Sequence, residues 1–247
     1  MGRRITVAEW FENLKSQFIL NFVSGDRWKL LVEGLGTTVK ITIFAVILGV
    51  FLGIVIAVIR SSYDKNAANM HGFSKAVFSV LNSICKIYLT IIRGTPVVVQ
   101  LLIMYYIIFA SSNNKLFVAI LSFGLNSAAY VAEIFRSGIM SIDAGQFEAG
   151  RAMGLNFPRT MIYIIIPQAF KNVLPALANE VIVLLKETSV AGYVAMTDLT
   201  RAGNMIRGVT FSAFLPLIAV ALIYLVIVMI LTKLVSMLER RLRASDH

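Results

Sequence analysis

The chain has 247 residues, of which 58% are hydrophobic and only 15% are charged, and its mean hydropathy is +0.80. Soluble domains average about 45–50% apolar and about 25% charged residues, so this composition excludes an ordinary soluble protein and indicates a membrane protein. The formal net charge is +10, but no dense basic run with interleaved aromatic residues marks a nucleic-acid-binding surface.

The sequence also argues against catalysis and against bound metals. Its single cysteine, Cys85, excludes an intrachain disulfide and a thiol metal site. Phosphate-binding loops, dinucleotide fingerprints and H-E-x-x-H motifs are missing, and the only histidines are His71 and His247. We therefore expect no catalytic residue, no cofactor and no metal, and we do not expect the chain itself to hydrolyse ATP.

Residues 1–29 are predicted to form an N-terminal interfacial segment. The stretch from Val7 to Phe22 has the spacing of an amphipathic helix, and its apolar positions are Trp10, Phe11, Leu14 and Phe18. Membrane anchoring is favoured over partner binding for this helix. No continuous apolar stretch precedes residue 18, so we expect no cleaved signal peptide.

Residues 30–240 contain five segments with about the 20 apolar residues that a membrane-crossing helix needs. The predicted fold class is therefore an all-α integral membrane protein, with a short tail at 241–247. The predicted spans are Ile41–Ile59, Lys86–Ala110, Leu116–Met140, Val173–Met196 and Phe211–Met237.

The first two spans carry features that break or tighten helices. Gly49 and Gly53 form a G-x-x-x-G pattern that allows close helix contact, although a seam between subunits is the less favoured use of it. The second span is interrupted by Arg93, Gly94, Thr95 and Pro96, where a broken helix would expose backbone groups to a cavity. A plain proline kink explains the interruption equally well. Gln100 is a candidate residue of a translocation pathway, with structural hydrogen bonding as the alternative.

Charged side chains inside the third and fourth spans are further pathway candidates. Glu133 and Arg136 are three residues apart on a helix, and structural pairing is favoured over contact with a solute. Glu180, Lys186 and Glu187 lie in the fourth span, where neighbours in sequence point in different directions. At least one of them needs a partner at a subunit interface or in an aqueous pathway.

A polar segment at about 141–167 separates the third span from the fourth and is predicted to be a helix-turn-helix. Asp143 begins the first helix, with Gln146 completing a capping-box-like start, and Gly154 ends it in a left-handed conformation. Asn156 and Pro158 open a second short helix, which Pro167 is predicted to end.

Basic residues predict the orientation in the membrane, because they accumulate in short cytoplasmic loops. A cytoplasmic helix-turn-helix puts ten basic residues inside, whereas Lys115, Arg201 and Arg207 remain in the short outer loops. The inner set is Arg60, Lys65, Lys75, Arg136, Arg151, Arg159, Lys171, Arg240, Arg241 and Arg243. Five spans then place the N-terminus outside and the C-terminus in the cytoplasm, although the basic N-terminal segment opposes this rule.

The polar segment resembles the signature E-A-A-x3-G-x9-I-x-L-P of the transmembrane permeases of ATP-binding-cassette (ABC) importers. The matching positions, at intact spacing, are Glu148, Ala149, Gly150, Gly154, Ile164, Ile166 and Pro167. Gly150 replaces the second Ala of the signature and Ile166 replaces its Leu. The resemblance implies that this segment couples the permease to an ATPase, with Glu148, Ala149, Gly150, Gly154, Ile164 and Pro167 as coupling residues.

Three other segments resemble the polar amino-acid uptake branch of these permeases. They are the R-G-T-P-x-x-x-Q segment at 93–100, the segment AAYVAEIFRSGI at 128–139 and the L-K-[DE]-T-S block at 185–189. The similarity extends from about Gly34 to Ser236 and implies a type I ABC importer permease. It further implies a second permease subunit, identical or closely related, an ABC ATPase dimer, an extracytoplasmic solute-binding protein and a polar amino acid as the solute.

The resulting hypothesis is a permease subunit in the cytoplasmic membrane that moves a polar amino acid with energy from a separate ATPase. The alternative is an ion-coupled secondary transporter in which Glu133, Glu180 and Glu187 relay protons or cations, although no inverted repeats are visible. A membrane scaffold without transport activity is a third reading. Arginine, histidine, lysine, glutamine, glutamate and cystine all remain open as solutes.

Overall fold

A computed structural model describes residues 6–66 and 71–244, and all its regular elements are helical. We number the α-helices in chain order as α1 Val7–Phe18, α2 Trp28–Asn66, α3 Gly72–Gly94, α4 Val97–Ile103, α5 Lys115–Met140, α6 Ala144–Ala152, α7 Phe157–Thr160, α8 Ile166–Glu187, α9 Leu199–Thr210 and α10 Phe214–Ala244. Wider π-helical turns occupy Ile19–Val23, Met104–Ile108 and Met161–Ile165, and 3-10 turns occupy Ser24–Asp26 and Thr188–Val194. Residues 1–5 of the predicted N-terminal segment and residues 245–247 of the predicted tail lie outside the described residues.

Helix α1 begins with a complete capping box at Thr6 and Glu9. The Thr6 backbone N–H donates to the Glu9 carboxylate at 2.8 Å, and the Glu9 N–H donates to the Thr6 hydroxyl at 3.3 Å. The hydrogen bond from the Thr6 backbone lowers the pKa of Glu9. None of the side chains of α1 is buried, so the helix has the exposed apolar residues expected of an interfacial segment.

Helices α2 and α5 form the centre of the molecule. Helix α2 has 39 residues, or about 58 Å at 1.5 Å per residue, so it is longer than the hydrocarbon core of a bilayer. A Cβ atom on Gly49 would lie 2.9 Å from the Ser127 side chain, and one on Gly53 would lie 2.5 Å from Val131. The predicted close contact at these glycines is therefore confirmed, but α5 of the same chain occupies it, so it is not a seam between subunits.

Five helical segments are long and apolar enough to cross a membrane, as predicted: Trp28–Lys65, Gly72–Gly94, Lys115–Met140, Phe157–Val194 and Phe214–Leu242. The prediction of the second span at Lys86–Ala110 was wrong. Its first part ends the longer helix α3, and its second part is the separate helix α4 with the following π turn. Backbone at Thr95 and Pro96 is extended, which divides the apolar run at the predicted interruption.

Pro167 does not end a helix, in contrast to the prediction. The chain remains helical from Phe157 to Val194 and changes to a π-helical turn at Met161–Ile165, directly before the proline. Pro167 lies in the first turn of α8, directly after the wider π-helical turn. Proline is tolerated in a first turn, where its missing N–H removes no hydrogen bond of the helix interior. The fourth span therefore begins within the predicted second helix of the polar segment.

The connection between α8 and α10 is anchored to the start of α2. Asp198 is fully buried and caps α9, accepting hydrogen bonds from the N–H groups of Thr200 at 2.9 Å and Arg201 at 3.4 Å. Burial raises the pKa of Asp198, and these hydrogen bonds oppose that effect. The Leu199 N–H donates to the Thr38 hydroxyl at 3.1 Å, which fixes α9 against α2.

Candidate functional site

The helix-turn-helix formed by α6 and α7 has the caps that its sequence predicts. The Asp143 carboxylate accepts from the Gly145 N–H at 2.6 Å, and the Asn156 side chain accepts from the Arg159 N–H at 3.1 Å. Gly154 has φ of +77°. The predicted capping box with Gln146 does not form: the Gln146 N–H donates to the Asp143 backbone carbonyl, and the Gln146 side chain accepts from the Gln168 amide at 3.2 Å instead of bonding back to Asp143.

Hydrogen bonds around Gly154 make a tight reversal between the two helices. The Leu155 N–H donates to the Gly150 carbonyl at 3.0 Å, and the Gly154 N–H donates to the Arg151 carbonyl at 2.9 Å. This pair of bonds is a Schellman motif, which requires a residue with positive φ at the turn. The reversal brings α6 against α7 within a few residues.

One face of α6 packs against α2 and α7. A Cβ on Gly150 would lie 2.5 Å from the Thr160 side chain, and the rings of Phe147 and Phe157 stack at 6.3 Å. The Lys65 ammonium, near the end of α2, lies 3.9 Å from the centre of the Phe147 ring. The hairpin is therefore attached to the longest helix of the molecule by direct side-chain contact.

The opposite face of α6 is exposed and makes a surface that we call the hairpin surface, formed by Glu148, Ala149, Arg151, Ala152 and Met153. Met153 contributes a large apolar side chain to this surface and is 70% exposed. A cavity of about 370 Å³ adjoins this surface and is lined by Lys65, Ala144, Phe147, Glu148, Arg151, Phe157 and Thr160. The exposed face of this short helix thus combines small side chains, two charged side chains and Met153, and it lies beside an open groove.

Four of the six predicted coupling residues do not contribute to the hairpin surface: Gly150 and Gly154 lie at the packing contact and the reversal described above, and Ile164 and Pro167 lie beyond the hairpin. Ile164 lies in the π-helical turn and packs against the buried cluster around Ile139 and Ile165. Pro167 is exposed at the start of α8. Both residues shape the junction between the hairpin and the fourth span.

A cluster of ion pairs joins α2, α3 and α5 and is centred on Glu133. Its carboxylate lies 2.6 Å from the Arg60 guanidinium, 3.6 Å from that of Arg136 and 3.9 Å from that of Arg93. Arg136 also lies 3.5 Å from Asp64. The predicted pairing of Glu133 with Arg136 is confirmed, and the partners contributed by α2 extend it.

The break between α3 and α4 is closed by the amide of Gln100, which is 9% exposed. Its nitrogen lies 2.7 Å from the Ile92 carbonyl, 3.0 Å from the Thr95 carbonyl and 2.9 Å from the Thr95 hydroxyl. Its oxygen accepts from the Asn126 amide of α5 at 3.0 Å. Gln100 thus replaces hydrogen bonds that a continuous helix would have made.

The charged residues of the fourth span occupy different environments. Glu180 is buried and accepts a hydrogen bond from the Ser127 hydroxyl of α5 at 2.9 Å. Lys186 is exposed and Glu187 is half-buried, so the two adjacent residues do point in different directions. Among the described residues, no ion pair involves any of these three charged side chains.

Geometry alone does not identify the class of this membrane protein, whereas comparison with known sequences does. Residues 49–244 match the family described as the inner membrane component of binding-protein-dependent transport systems. The chain belongs to this family. It is accordingly a permease component of an ABC importer, a family that works with ATPase and solute-binding partners.

Curated relatives of the permease align over most of its length. The arginine transport system permease protein ArtQ of Bacillus subtilis (strain 168) is 36% identical over 219 residues, which cover 87% of this chain and 94% of that protein. The glutamine transport system permease protein GlnP of Escherichia coli (strain K12) is 33% identical over 219 residues, covering 87% and 93%.

Solved structures show the same architecture. A chain from a crystal structure of an amino acid ABC transporter with histidines is 38% identical, with a TM-score of 0.75, and the match covers 89% of this permease and 98% of that chain. A chain of the methionine ABC transporter MetNI in an inward-facing conformation gives a TM-score of 0.68 at 22% identity, covering 88% and 96%. The second likeness supports the fold alone, and both agree with the predicted type I permease architecture.

Several side chains of the permease site were not predicted. The predicted first span ends at Ile59, which leaves Arg60 and Lys65 in an inner loop and gives Asp64 no role. The structure continues α2 to Asn66, which brings these residues to Glu133, Arg136 and the hairpin. The absence of glycine and proline from 60–66 is the sequence signal that favours this extension. Asn126 and Ser127 gave no comparable signal, since their partners lie on other helices.

Proposed function

We propose that this permease imports a polar amino acid, with energy from ATP hydrolysis by a separate subunit. The observation that carries the proposal is the exposed hairpin surface, in a chain whose relatives are named for arginine and glutamine transport. The family assignment supports ATPase and solute-binding protein partners. The finer assembly we propose has two permease subunits, identical or closely related, on an ATPase dimer.

In this proposal the hairpin is the ATPase-coupling element. Ala149 lies on the hairpin surface that enters the ATPase, and Glu148 supplies a polar contact beside it. Gly150 and Gly154 do not touch the partner; they set the close packing and the reversal that hold the surface in place. Ile164 and Pro167 transmit movement into the fourth span, with which the hairpin is continuous.

Movement of the hairpin changes the membrane helices because it is attached at two points. The contact between Lys65 and Phe147 connects it to α2, and the uninterrupted helix from Phe157 connects it to α8. A displacement by the ATPase dimer would therefore tilt two spans together. ATP binding drives this tilt only if the ATPase contacts the hairpin surface differently in the inward-open and outward-open states.

The proposed solute pathway runs beside the middle of α5. Glu180, held by Ser127, and Glu187 on the same helix supply carboxylates, with Lys186 exposed toward a second subunit. The other predicted pathway residues, Arg93, Gly94, Thr95, Pro96, Gln100 and Glu133, belong to the helix break and the ion-pair cluster. We propose that these residues shape the wall of the pathway, since Gln100 and Glu133 already have partners.

The proposed division of the chain is an N-terminal interfacial segment at 1–29, a transmembrane permease domain at 30–240 with its coupling loop at about 141–167, and a cytoplasmic tail at 241–247. The proposed orientation has the hairpin in the cytoplasm and the N-terminus outside. Five crossings support opposite sides for the two termini. The excess of basic residues near the hairpin supports the cytoplasmic side for it.

Reconstitution into liposomes tests the proposed energy source. Uptake by the permease with its ATPase and solute-binding protein should require ATP on the side of the membrane that carries the ATPase. It should continue when proton and sodium gradients are collapsed. Uptake driven by an ion gradient without the ATPase would favour the ion-coupled alternative instead, which no observation of the structure supports.

A pair of substitutions tests the hairpin surface. Ala149→Trp enlarges an exposed side chain without disturbing the buried face of α6, so the ATPase should no longer co-purify while the thermal unfolding midpoint stays unchanged. Ala8→Trp makes the same change at an exposed position of α1 and should leave assembly intact. Normal assembly and transport by the Ala149→Trp permease would show that the hairpin surface is not the docking site.

A further inference from the structure

A second cavity, of about 600 Å³, lies between α2, α3 and α5 and is lined mainly by polar and charged side chains. Its lining residues are Arg60, Lys86, Leu89, Thr90, Arg93, Gly94, Tyr130 and Glu133. Three of them are basic and one is acidic. With the adjoining pair of Arg136 and Asp64, the whole cluster has four positive and two negative side chains, so two positive charges are in excess.

The excess positive charge is accessible from the cavity. Lys86 is exposed and makes no ion pair within the described residues, and the Arg93 side chain is 47% exposed at 3.9 Å from Glu133. The Nε atom of Arg60 is buried without a hydrogen-bond partner. An excess of exposed positive charge attracts an anion, so this cavity favours anion binding.

The surroundings of the cavity indicate the kind of molecule that carries the anion. Ile84, Ile87 and Ile91 lie on the neighbouring face of α3 and are each more than half exposed. Spaced by three and four residues, they form an apolar ridge beside Lys86 and Thr90. A cationic cavity that opens next to an apolar ridge matches an amphiphile with a charged head and hydrocarbon tails.

The depth of the cavity agrees with a lipid headgroup region. Arg60 is five residues before Lys65, which contacts the hairpin, and this separation is about 8 Å along α2. Glu133 is seven residues before the end of α5 on the same side, or about 10 Å. Lysine and arginine side chains reach over such distances toward the membrane surface. The cavity therefore lies within reach of the phosphates of the leaflet on the hairpin side.

We infer that this cavity binds the phosphate of an anionic phospholipid, with Lys86 and Arg93 as its contacts and Arg60 behind them. Basic pockets between membrane helices on the cytoplasmic side are known to select such headgroups. The bound phosphate would neutralise the excess charge and connect α3 to the ion-pair cluster of α2 and α5. The lipid would then stabilise the helix break at Gly94–Pro96 from the membrane-facing side of the proposed pathway wall.

The carboxylate of a transported amino acid is the competing ligand for the same charges. The apolar ridge argues against it, because a pathway for polar solutes would continue as a polar surface from the mouth of the cavity. Free inorganic phosphate shares the headgroup's chemistry but cannot use the ridge. Competition measurements distinguish the phospholipid, the amino acid and inorganic phosphate as ligands of the cavity.

Binding is measured on the full-length chain in detergent by native mass spectrometry, with titration of phosphatidylglycerol or phosphatidylcholine. Phosphatidylglycerol should be retained at lower concentration, and Lys86→Gln and Arg93→Gln should each weaken its binding about fivefold, as expected for one basic residue near an anionic headgroup. Glu133→Gln should strengthen binding, because among the described lining residues it removes the one negative side chain.

Lys75→Gln is the matched control, since it removes the same charge from an exposed position of α3 outside the cavity. It should leave phosphatidylglycerol binding unchanged, and circular dichroism should show all variants folded. Equal retention of the two lipids, or an equal loss with Lys75→Gln, would overturn the inference. Displacement of phosphatidylglycerol by free arginine or glutamine would also overturn it, as would binding of inorganic phosphate without the lipid.

Discussion

Gly150 shows how a single residue position adapts the hairpin to this chain. The family signature has alanine there, yet a Cβ at this position would lie 2.5 Å from Cγ2 and 2.7 Å from Oγ1 of Thr160. Thr160 is buried and bonded to the Asn156 carbonyl, so it cannot move away. Glycine at 150 and threonine at 160 are therefore a matched pair, and the departure from the signature lies on the buried face of α6, away from the hairpin surface.

The matched pair predicts a specific loss and a specific rescue. Gly150→Ala should lower stability by about 1–3 kcal/mol through overpacking and should reduce co-purification of the ATPase. Thr160→Ala in the same chain should restore both, because it removes the two atoms that a Cβ would meet. Gly36→Ala is the control, since that glycine has open space around its Cβ position. Equal unfolding midpoints for Gly150→Ala and the wild type would contradict the proposed packing.

The buried cap Asp198 should make the stability of the permease depend on pH, and this dependence distinguishes the effect of its charge from that of its hydrogen bonds. Burial raises its pKa, so the stability it contributes is greatest below its ordinary pKa of about 4 and is lost as the pH rises through the raised value. Asp198→Asn keeps the cap without the buried charge. Its thermal unfolding midpoint at neutral pH should therefore equal or exceed that of the wild type. In acid, where the wild-type carboxyl is protonated, the midpoint of the wild type should rise relative to that of Asp198→Asn.

Asp198→Ala is the companion variant, because it removes the cap as well as the charge. It should lose about 1 kcal/mol of stability at neutral pH. Thermal unfolding of the three proteins in detergent across the pH range measures both effects. If the stability of the wild type increased relative to that of Asp198→Asn as the pH rises, the hydrogen bonds of the carboxylate would outweigh the cost of its burial.

Among the elements, the break between α3 and α4 depends on the side chain of Gln100, which supplies hydrogen bonds that the interrupted backbone lacks. Gly94, Thr95 and Pro96 interrupt the backbone ladder, and the Gln100 amide takes over the freed acceptors while joining α4 to Asn126 of α5. Helix breaks at membrane depth persist only where such groups find partners. The break is therefore part of a defined tertiary contact, beyond a plain proline kink.

Gln100→Leu should destabilise the permease by about 1–3 kcal/mol, because it leaves buried polar groups of α3 and α5 without partners. Gln100→Glu should be no better, since a carboxylate cannot donate to the Ile92 and Thr95 carbonyls. Gln146→Leu is the control, since that glutamine is exposed and the single hydrogen bond it loses, from Gln168, lies at the surface, so the loss of stability should be smaller. Unfolding in detergent measures the effect, and a stable Gln100→Glu protein would mean that donation by this amide is dispensable.

The helices that were predicted correctly are those whose ends are marked by local chemistry. Leu116–Met140 agrees with α5 to within one residue, and the caps at Asp143 and Asn156 fix the hairpin. The errors arose where tertiary structure decides the ends. Pro167 follows a π-helical turn that no local pattern indicates, and α3 extends back to Gly72 through residues of mixed polarity.

At the scale of the whole molecule, contacts run continuously from the hairpin to the helix break. Phe147 touches Lys65, and the adjacent Asp64 pairs with Arg136, which pairs with Glu133. The sequence predicted the pair Glu133–Arg136, because both residues lie on one helix. It could not predict the partners on α2, since contact between distant segments depends on the glycine-mediated packing of α2 against α5.

The arrangement of the whole chain in the membrane gives the last prediction, which concerns sidedness. Asn113, before α5, and Ala152, in the hairpin, are both exposed and lie at opposite ends of α5. The proposed orientation puts Asn113 outside and Ala152 in the cytoplasm. A thiol reagent that cannot cross membranes should therefore label Asn113→Cys in intact cells, and it should label Ala152→Cys only after the membrane is opened.

The native cysteine does not interfere with this experiment, because Cys85 is buried and the wild type serves as the unlabelled control. Labelling of Ala152→Cys in intact cells would place the hairpin surface outside, where no ATP-hydrolysing subunit can reach it. That result would remove the coupling proposal while leaving the family assignment intact. Protection of Ala152→Cys in opened membranes on co-expression of the ATPase would instead locate the partner on the hairpin surface, because Ala152 adjoins Ala149 on its exposed face.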